Sequence, residues 1–303
     1  MIGEDGEGDA ERPQKPRAPW RPAGNGITEK LRIQCTDGVA HRPTDATPVE
    51  RADSGRSLSY RVRETTFRLD HYLEIAPGYY DQVCRRGRGV QWFWHHHRLR
   101  LVESKLPEDT KSLLDLGCGP GTFLGRLTRP VERALGLDLA EPQIAYAREH
   151  YARPGVEFRV ADVRSAAIEG QFDAAVSIEV IEHLPPDEVH GFLRDAYSAL
   201  RPGGRLVLST PNVRSLWPLL EWVVSVVGPV DYREQHLGLF SRKSLSEAVE
   251  RAGFETVSAE TFFVAAPFLA PLGARFAGGV LNLERRIFPA LGAELLLVAR
   301  RPA

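Results

Sequence analysis

The sequence predicts an α/β fold, a doubly wound and mainly parallel sheet with an N-terminal helical extension, and three observations carry that prediction. Short apolar runs ending near a turn residue or an acid alternate with helical patterns between residues 112 and 299. The first run, Leu113-Leu114-Asp115-Leu116, passes directly into the glycine turn Gly117-Cys118-Gly119-Pro120-Gly121. Two later runs end on carboxylates, Asp138 and Asp162, where an open sheet of this kind forms its ligand crevice.

Taken in order, residues 1–55 are rich in Gly, Pro, Asp, Glu and Arg, lack hydrophobic periodicity, and are expected to form a disordered tail. Residues 56–106 bring in aromatics (Tyr60, Phe67, Tyr72, Tyr79, Tyr80, then Trp92-Phe93-Trp94) and read as a helical cap or substrate segment. Within it the spacing of Phe93, Leu99 and Val102 predicts a helix over 91–106. The α/β domain proper spans 107–303, with strands expected at 112–117, 133–138, 156–161, 173–178, 204–209, 255–260 and 294–299. Val189, Phe192, Leu193, Ala196 and Leu200 mark a helix over 186–201, which Arg201-Pro202-Gly203-Gly204 should stop. Ser241 reads as the N-cap of another helix, with Leu245, Ala248, Val249 and Ala252 on one face and Gly253 at its end.

Composition narrows the function classes. The formal net charge of -1 gives no global attraction to nucleic acid or anionic membrane. Three cysteines without a CxxC pair build neither a disulfide framework nor a zinc ribbon. The acidic start, Met1 to Gly8, does not read as a signal peptide, so a cytoplasmic setting is expected. No uncharged run reaches the roughly 18 residues of a spanning helix.

The glycine turn supplies a bend and a close backbone approach. A carboxylate at Asp138 can accept both hydroxyls of a ribose, and Asp162 can accept from an adenine amine. A nicotinamide-binding fingerprint would want glycine where Thr122 stands. With these residues in place, the chain from about Pro107 to Arg300 resembles the class I S-adenosylmethionine-dependent methyltransferases: Gly117-x-Gly119-x-Gly121 has their loop spacing, Asp138 matches their ribose acid and Asp162 their adenine-side acid. Arg201-Pro202-Gly203-Gly204 before Leu206-Val207-Leu208-Ser209-Thr210-Pro211 matches their later turn and fifth strand. The resemblance implies a Rossmann-like seven-stranded sheet whose last strand, 294–299, runs antiparallel, and a cofactor site of Asp115, Gly117, Cys118, Gly119, Gly121, Asp138, Leu139, Asp162, Val163 and Glu179.

Beyond the fourth strand, Glu179-Val180-Ile181-Glu182-His183 lies at the crevice mouth, where His183, with Glu182, is the expected catalytic group because an imidazole titrates near working pH. The ExxEH spacing, which in one helical turn can converge on a cation, resembles that of ubiquinone-biosynthesis O-methyltransferases and small-RNA 2′-O-methyltransferases, which implies a second reading: Glu179, Glu182, His183 and His236 holding Mg²⁺. In the alternative the two glutamates organise cofactor and loop by hydrogen bonds. Apolar inserts at 212–240, with Trp217 and Trp222, and at 262–290 point to lid packing or to a greasy acceptor site in peripheral contact with a membrane. The expected reaction is methyl transfer to oxygen on a small, hydrophobic or lipid-linked acceptor, with an RNA 2′-hydroxyl or a small amine as alternatives. Arg85-Arg86-Gly87-Arg88 lends nucleic acid only slight support, and His95-His96-His97, adjacent on one helix, should point in different directions onto a packed or solvated face.

Overall fold

Leu113, Leu114, Asp115 and Leu116 are buried without alternation, the mark of a strand covered on both faces. A computed structural model describes residues 75–166, 168, 170–215 and 237–303, and this strand, β1 (Ser112–Leu116), runs through the middle of its sheet. The expected tail at 1–55, the start of the helical segment, Trp217, Trp222 and His236 all lie outside the described residues.

Six further strands complete the sheet: β2 (Arg133–Asp138), β3 (Val156–Val160), β4 (Phe172–Ile178), β5 (Leu200–Pro211), β6 (Glu255–Phe262) and β7 (Glu294–Arg300). Their order is β3-β2-β1-β4-β5-β7-β6, with β7 antiparallel to both neighbours and the other pairings parallel. The expected seven-stranded Rossmann-like sheet with an antiparallel last strand is therefore present. The chain winds outward from β1 in one direction and from β4 in the other, so the switch point lies between those two strands, where this class of sheet binds ligands.

One cluster of buried side chains joins Leu114, Leu116 and Leu137 to Phe192 and Leu193 of one helix and Leu245 and Val249 of another. The other joins Leu113, Ala134 and Val176 to Phe93, Ile144 and Phe158. Neighbouring leucines thus serve opposite layers, as the two-residue pleat requires. Ser241 caps its helix, Arg242–Arg251, through a reciprocal box with Ser244, and Gly253 (φ 103°) follows the end.

Arg201-Pro202-Gly203-Gly204 behaves differently from a simple helix stop. The helix ends at Ala199, β5 pairs at once (Phe172 with Leu200), and pairing resumes only at Ala174 with Arg205. The four residues form a bulge, tied to the C-terminal segment by Gly203 N–H to Arg301 O (2.9 Å) and Arg301 N–H to Gly204 O (2.8 Å).

The N-terminal extension contributes α1 (Tyr79–Arg85) and α2 (Val90–Glu103). Asp81 is fully buried and accepts from Tyr146 Oη (2.8 Å), Tyr151 Oη and Arg85 Nε (2.7 Å), which holds α1 on the helix Glu141–Tyr151. The three histidines of α2 pack on aromatic rings, His95 on Tyr80, His96 on Trp92 and His97 on Phe93, but they do not all diverge as expected, since His96 and His97 meet edge to face at 5.2 Å and both lie against Trp92. Burial, with Arg98 adding repulsion, pushes His95 down to about 3; burial and the neighbouring cations take His96 to about 4. Neutral imidazoles set among aromatic rings make a packed surface.

Candidate active site

β1 delivers Asp115 to the switch point and then bends. Gly117 (φ 80°) donates to Leu137 O at 2.8 Å, Cys118 donates to the same oxygen at 2.9 Å, and Gly121 (φ 73°) opens the short helix Thr122–Gly125. Both glycines occupy left-handed backbone and both lack room. A Cβ at Gly117 would stand 2.3 Å from Val180 Cγ2, and one at Gly121 would stand 2.7 Å from Phe158 and 2.9 Å from Ala147. At these two positions the protein's own packing supplies the demand for glycine, where the sequence suggested approach to a ligand. Cys118 is buried and its thiol is pushed up by burial and by Asp115 and Asp138, so it packs the loop and is no nucleophile.

β2 ends at Asp138, whose carboxylate accepts Gly119 N–H on Oδ2 and Ala140 N–H on Oδ1, both at 2.8 Å. The acid therefore locks the glycine loop to the start of the next helix. Leu139 is half-buried beside it. Asp115 is buried, its Oδ2 finds no hydrogen-bond partner among the described residues, and burial together with Asp138 pushes its carboxyl up to about 8. A neutral acid beside a carboxylate, at the mouth of a parallel sheet, suits a ligand that carries positive charge.

Asp162 follows β3 and is engaged by Arg164, whose backbone N–H reaches Oδ1 at 3.0 Å and whose Nε reaches Oδ1 at 2.8 Å; Arg164 Nη1 also meets Glu188 at 3.1 Å. Those bonds hold its carboxyl below the usual range despite partial burial. Val163 beside it is buried.

The ExxEH segment departs from the helical turn that its spacing suggested. Glu179 has φ 56°, a left-handed backbone rare outside glycine, and a 3₁₀ turn covers only Ile181–His183. Glu179 is held by its own N–H to Ser209 O (3.0 Å), by Ser209 Oγ donating to Oε1 (2.8 Å), and by Arg98 Nη2 at 3.4 Å from Oε2. Glu182 turns inward: Thr210 Oγ1 donates to its Oε2 at 2.9 Å, and its carbonyl oxygen accepts from Leu237 and Gly238, both at 2.8 Å. His183, half-buried, donates its N–H to Val180 O at 2.9 Å. Among the described residues no three His, Cys, Asp or Glu side chains gather in a group able to hold a metal ion. Glu179 is already paired with Arg98, and His236, the fourth expected Mg²⁺ ligand, lies outside the described residues.

Sequence reasoning missed Arg98 and Glu294. Arg98 Nε donates to Glu294 Oε2 at 2.8 Å, its Nη2 pairs with Glu294 Oε1, and Trp94 Nε1 joins the same oxygen. The N-terminal extension, β7 and the crevice mouth thus share one buried polar network. Only the polar ends of β5 and β7, Ser209-Thr210 and Glu294, could have flagged it, being hydrophilic residues at strand ends facing the switch point.

A doubly wound sheet with a pinned glycine loop and strand-end acids defines a Rossmann-like nucleoside-binding class. A family model described as a methyltransferase domain matches residues 87–259. A protein of Mycolicibacterium smegmatis described as a probable S-adenosylmethionine-dependent methyltransferase is 30% identical over 211 residues, 68% of this chain and 76% of that one. The chain belongs to the S-adenosylmethionine-dependent methyltransferase family. It is also similar to a ubiquinone biosynthesis O-methyltransferase of Xanthomonas axonopodis pv. citri, 36% identical over 119 residues, but over 38% of this chain and 49% of that one, which does not single out that subfamily. The chain spans about half the length of several curated relatives it matches. A solved S-adenosylmethionine-dependent methyltransferase from Mesorhizobium loti shares the fold, with a TM-score of 0.51 at 23% identity over 67% of this chain and 96% of that one.

Proposed function

We propose that this protein transfers the methyl group of S-adenosylmethionine to an oxygen of a small, hydrophobic or lipid-linked acceptor. The observation that carries the reading is the glycine loop clamped by Asp138 beside the orphaned carboxyl of Asp115. When bound, S-adenosylmethionine supplies an electrophilic methyl on a sulfonium. Asp138 holds the ribose, and Asp162 accepts from the adenine amine once Arg164 gives up part of its four-contact hold on that carboxylate. Asp115 lies where a cationic amine or sulfonium would relieve its crowding with Asp138.

His183 takes the proton from the acceptor hydroxyl as its oxygen bonds to the methyl carbon and the carbon–sulfur bond breaks. S-adenosylhomocysteine then leaves with the electron pair. Alignment of the two reacting atoms at about 3 Å contributes most of the acceleration. Glu179 and Glu182 position the crevice wall through Ser209 and Thr210. In this reading Glu179 is spent on Arg98, and no step passes through a divalent ion.

Oxygen as the acceptor atom is supported by the similarity to ubiquinone-biosynthesis O-methyltransferases. The apolar surface of residues 268–291 supports a hydrophobic or lipid-linked substrate. The test is methyl transfer from labelled S-adenosylmethionine to phenols and alcohols with alkyl tails of increasing length. Activity should rise with tail length, persist under complete chelation and collapse in His183→Ala. No saturable uptake of S-adenosylhomocysteine would overturn the reading, and transfer to amines alone would overturn its oxygen assignment.

A further inference from the structure

Among the described residues ten large hydrophobic side chains are exposed, and seven of them fall between Phe268 and Leu291. Scattered singly, such residues need no explanation; gathered in one insert, they do. The insert contains the helices Ala266–Leu269 and Ala274–Ile287 joined by a 3₁₀ turn, Ala270–Leu272. The longer helix is apolar on two faces. Ala277 and Leu281 enter the core, while Phe276 (56% exposed), Leu283 (56%) and Ile287 (55%) stand in solvent. At about 100° per residue these three share an arc of roughly 40°. Leu272 (75%), Phe288 (44%) and Leu291 (51%) continue the exposed surface past both ends.

Within this insert the exposed charges carry one sign. Between residues 262 and 293 the sole carboxylate is Glu284, which is buried and spent on the N–H groups of Val264, Ala265 and Ala266 at 2.8–3.1 Å. Arg285 is paired with Glu260, whereas Arg275 and Arg286 are exposed and lie on the same flank of the helix, roughly 90° from the apolar stripe. Beside the turn at Ala270 and Pro271 a groove of about 560 Å³ is walled by Arg86 and Arg88. No helix among the described residues is long and apolar enough to cross a membrane.

We propose that this insert is a membrane-docking surface, its apolar stripe resting in the acyl boundary of a bilayer while Arg275 and Arg286 meet anionic headgroups. A stripe of Phe, Leu and Ile with arginines along its margin and no exposed acid has the chemistry of an interfacial helix. A second copy of this chain fits less well, since a two-fold contact would set one cationic flank against its equal. The inference deepens the reading of a lipid-linked acceptor and rests on it for its purpose, because docking would bring the crevice to a substrate held in the bilayer.

The test is co-sedimentation of the full chain with phosphatidylcholine vesicles, with and without phosphatidylglycerol. Phosphatidylglycerol vesicles should retain the chain, F276D/L283D should weaken retention by at least about tenfold, and R275E/R286E should abolish the preference for phosphatidylglycerol. Affinity for S-adenosylhomocysteine should stay unchanged in both variants, which separates docking from the cofactor site. If F276D/L283D misfolds, the milder Phe276→Ser and Ile287→Ser carry the same comparison. Failure to bind either vesicle overturns the proposal. So does binding that every variant retains, or a dimer in light scattering that F276D/L283D dissolves without any vesicle retention. A failed acceptor reading would show separately, as vesicle binding without methyl transfer to any tailed hydroxyl.

Discussion

Asp138 does two jobs with one carboxylate. It receives Gly119 and Ala140 N–H groups and so shapes the glycine loop, and it is the expected ribose contact. Asp138→Ala removes both, and affinity for S-adenosylhomocysteine measured by calorimetry should fall by more than about tenfold, the scale of one charge-assisted hydrogen bond or more. Asp138→Asn keeps an acceptor for one loop N–H and should lose less. Affinity unchanged in the alanine variant would remove the crevice as the cofactor site. Glu179 makes a different point at this scale. Its left-handed backbone is the kind of strain that survives only where surroundings over-determine it, here through Ser209 and Arg98.

Strands fix the crevice by anchoring at the opposite end of the sheet. Asp173, near the start of β4, accepts Ser112 N–H at 2.7 Å and Lys111 N–H at 2.8 Å, and pairs with Arg201 at 2.5 Å. It thereby joins β1, β4 and the bulge of β5. Burial alone would raise its carboxyl, but those donors outweigh burial and hold it at about 2. A carboxyl depressed from its ordinary value of 3.8 stabilises the fold above pH 4, and that contribution is lost as pH falls from about 4 through about 2. Asp173→Asn should cost on the order of 2 kcal/mol at pH 7 and make the acid arm of the denaturation profile shallower between those values. An unchanged acid arm would show that the strand-end clamp contributes nothing.

At the scale of the whole molecule, Arg98 connects the N-terminal extension to β7 and to the crevice. Its partner Glu294 is pushed up to about 7 by burial, with Arg98 pulling it down and Glu179 opposing. Arg98→Met would leave the buried Glu294 beside the half-buried Glu179 without a cation, and breaking a buried pair such as Arg98–Glu294 costs about 3–5 kcal/mol. Chemical denaturation should register that loss, and Arg98→Met with Glu294→Gln should recover a substantial part, since the uncompensated charge is then gone. No recovery in the double variant would mean that packing of the arginine stem, rather than charge, dominates.

By itself the sequence determined the layers: all seven strands, the glycine loop and its acids, and the helix capped by Ser241, because burial on both faces and local turn chemistry write themselves into neighbouring residues. The position of the candidate crevice was legible for the same reason, its residues falling at strand ends in register. What the tertiary structure decided lay in contacts between residues far apart in the chain. Glu179 and Glu182 were read on an assumed helical turn, but their directions depend on Ser209 and Thr210 of the neighbouring strand and on Arg98, 81 positions before Glu179. The exposed stripe of the last helix followed the same rule. Its apolar residues were visible in the sequence, yet which of them face the core and which face water is settled only once the helix has docked by Ala277 and Leu281.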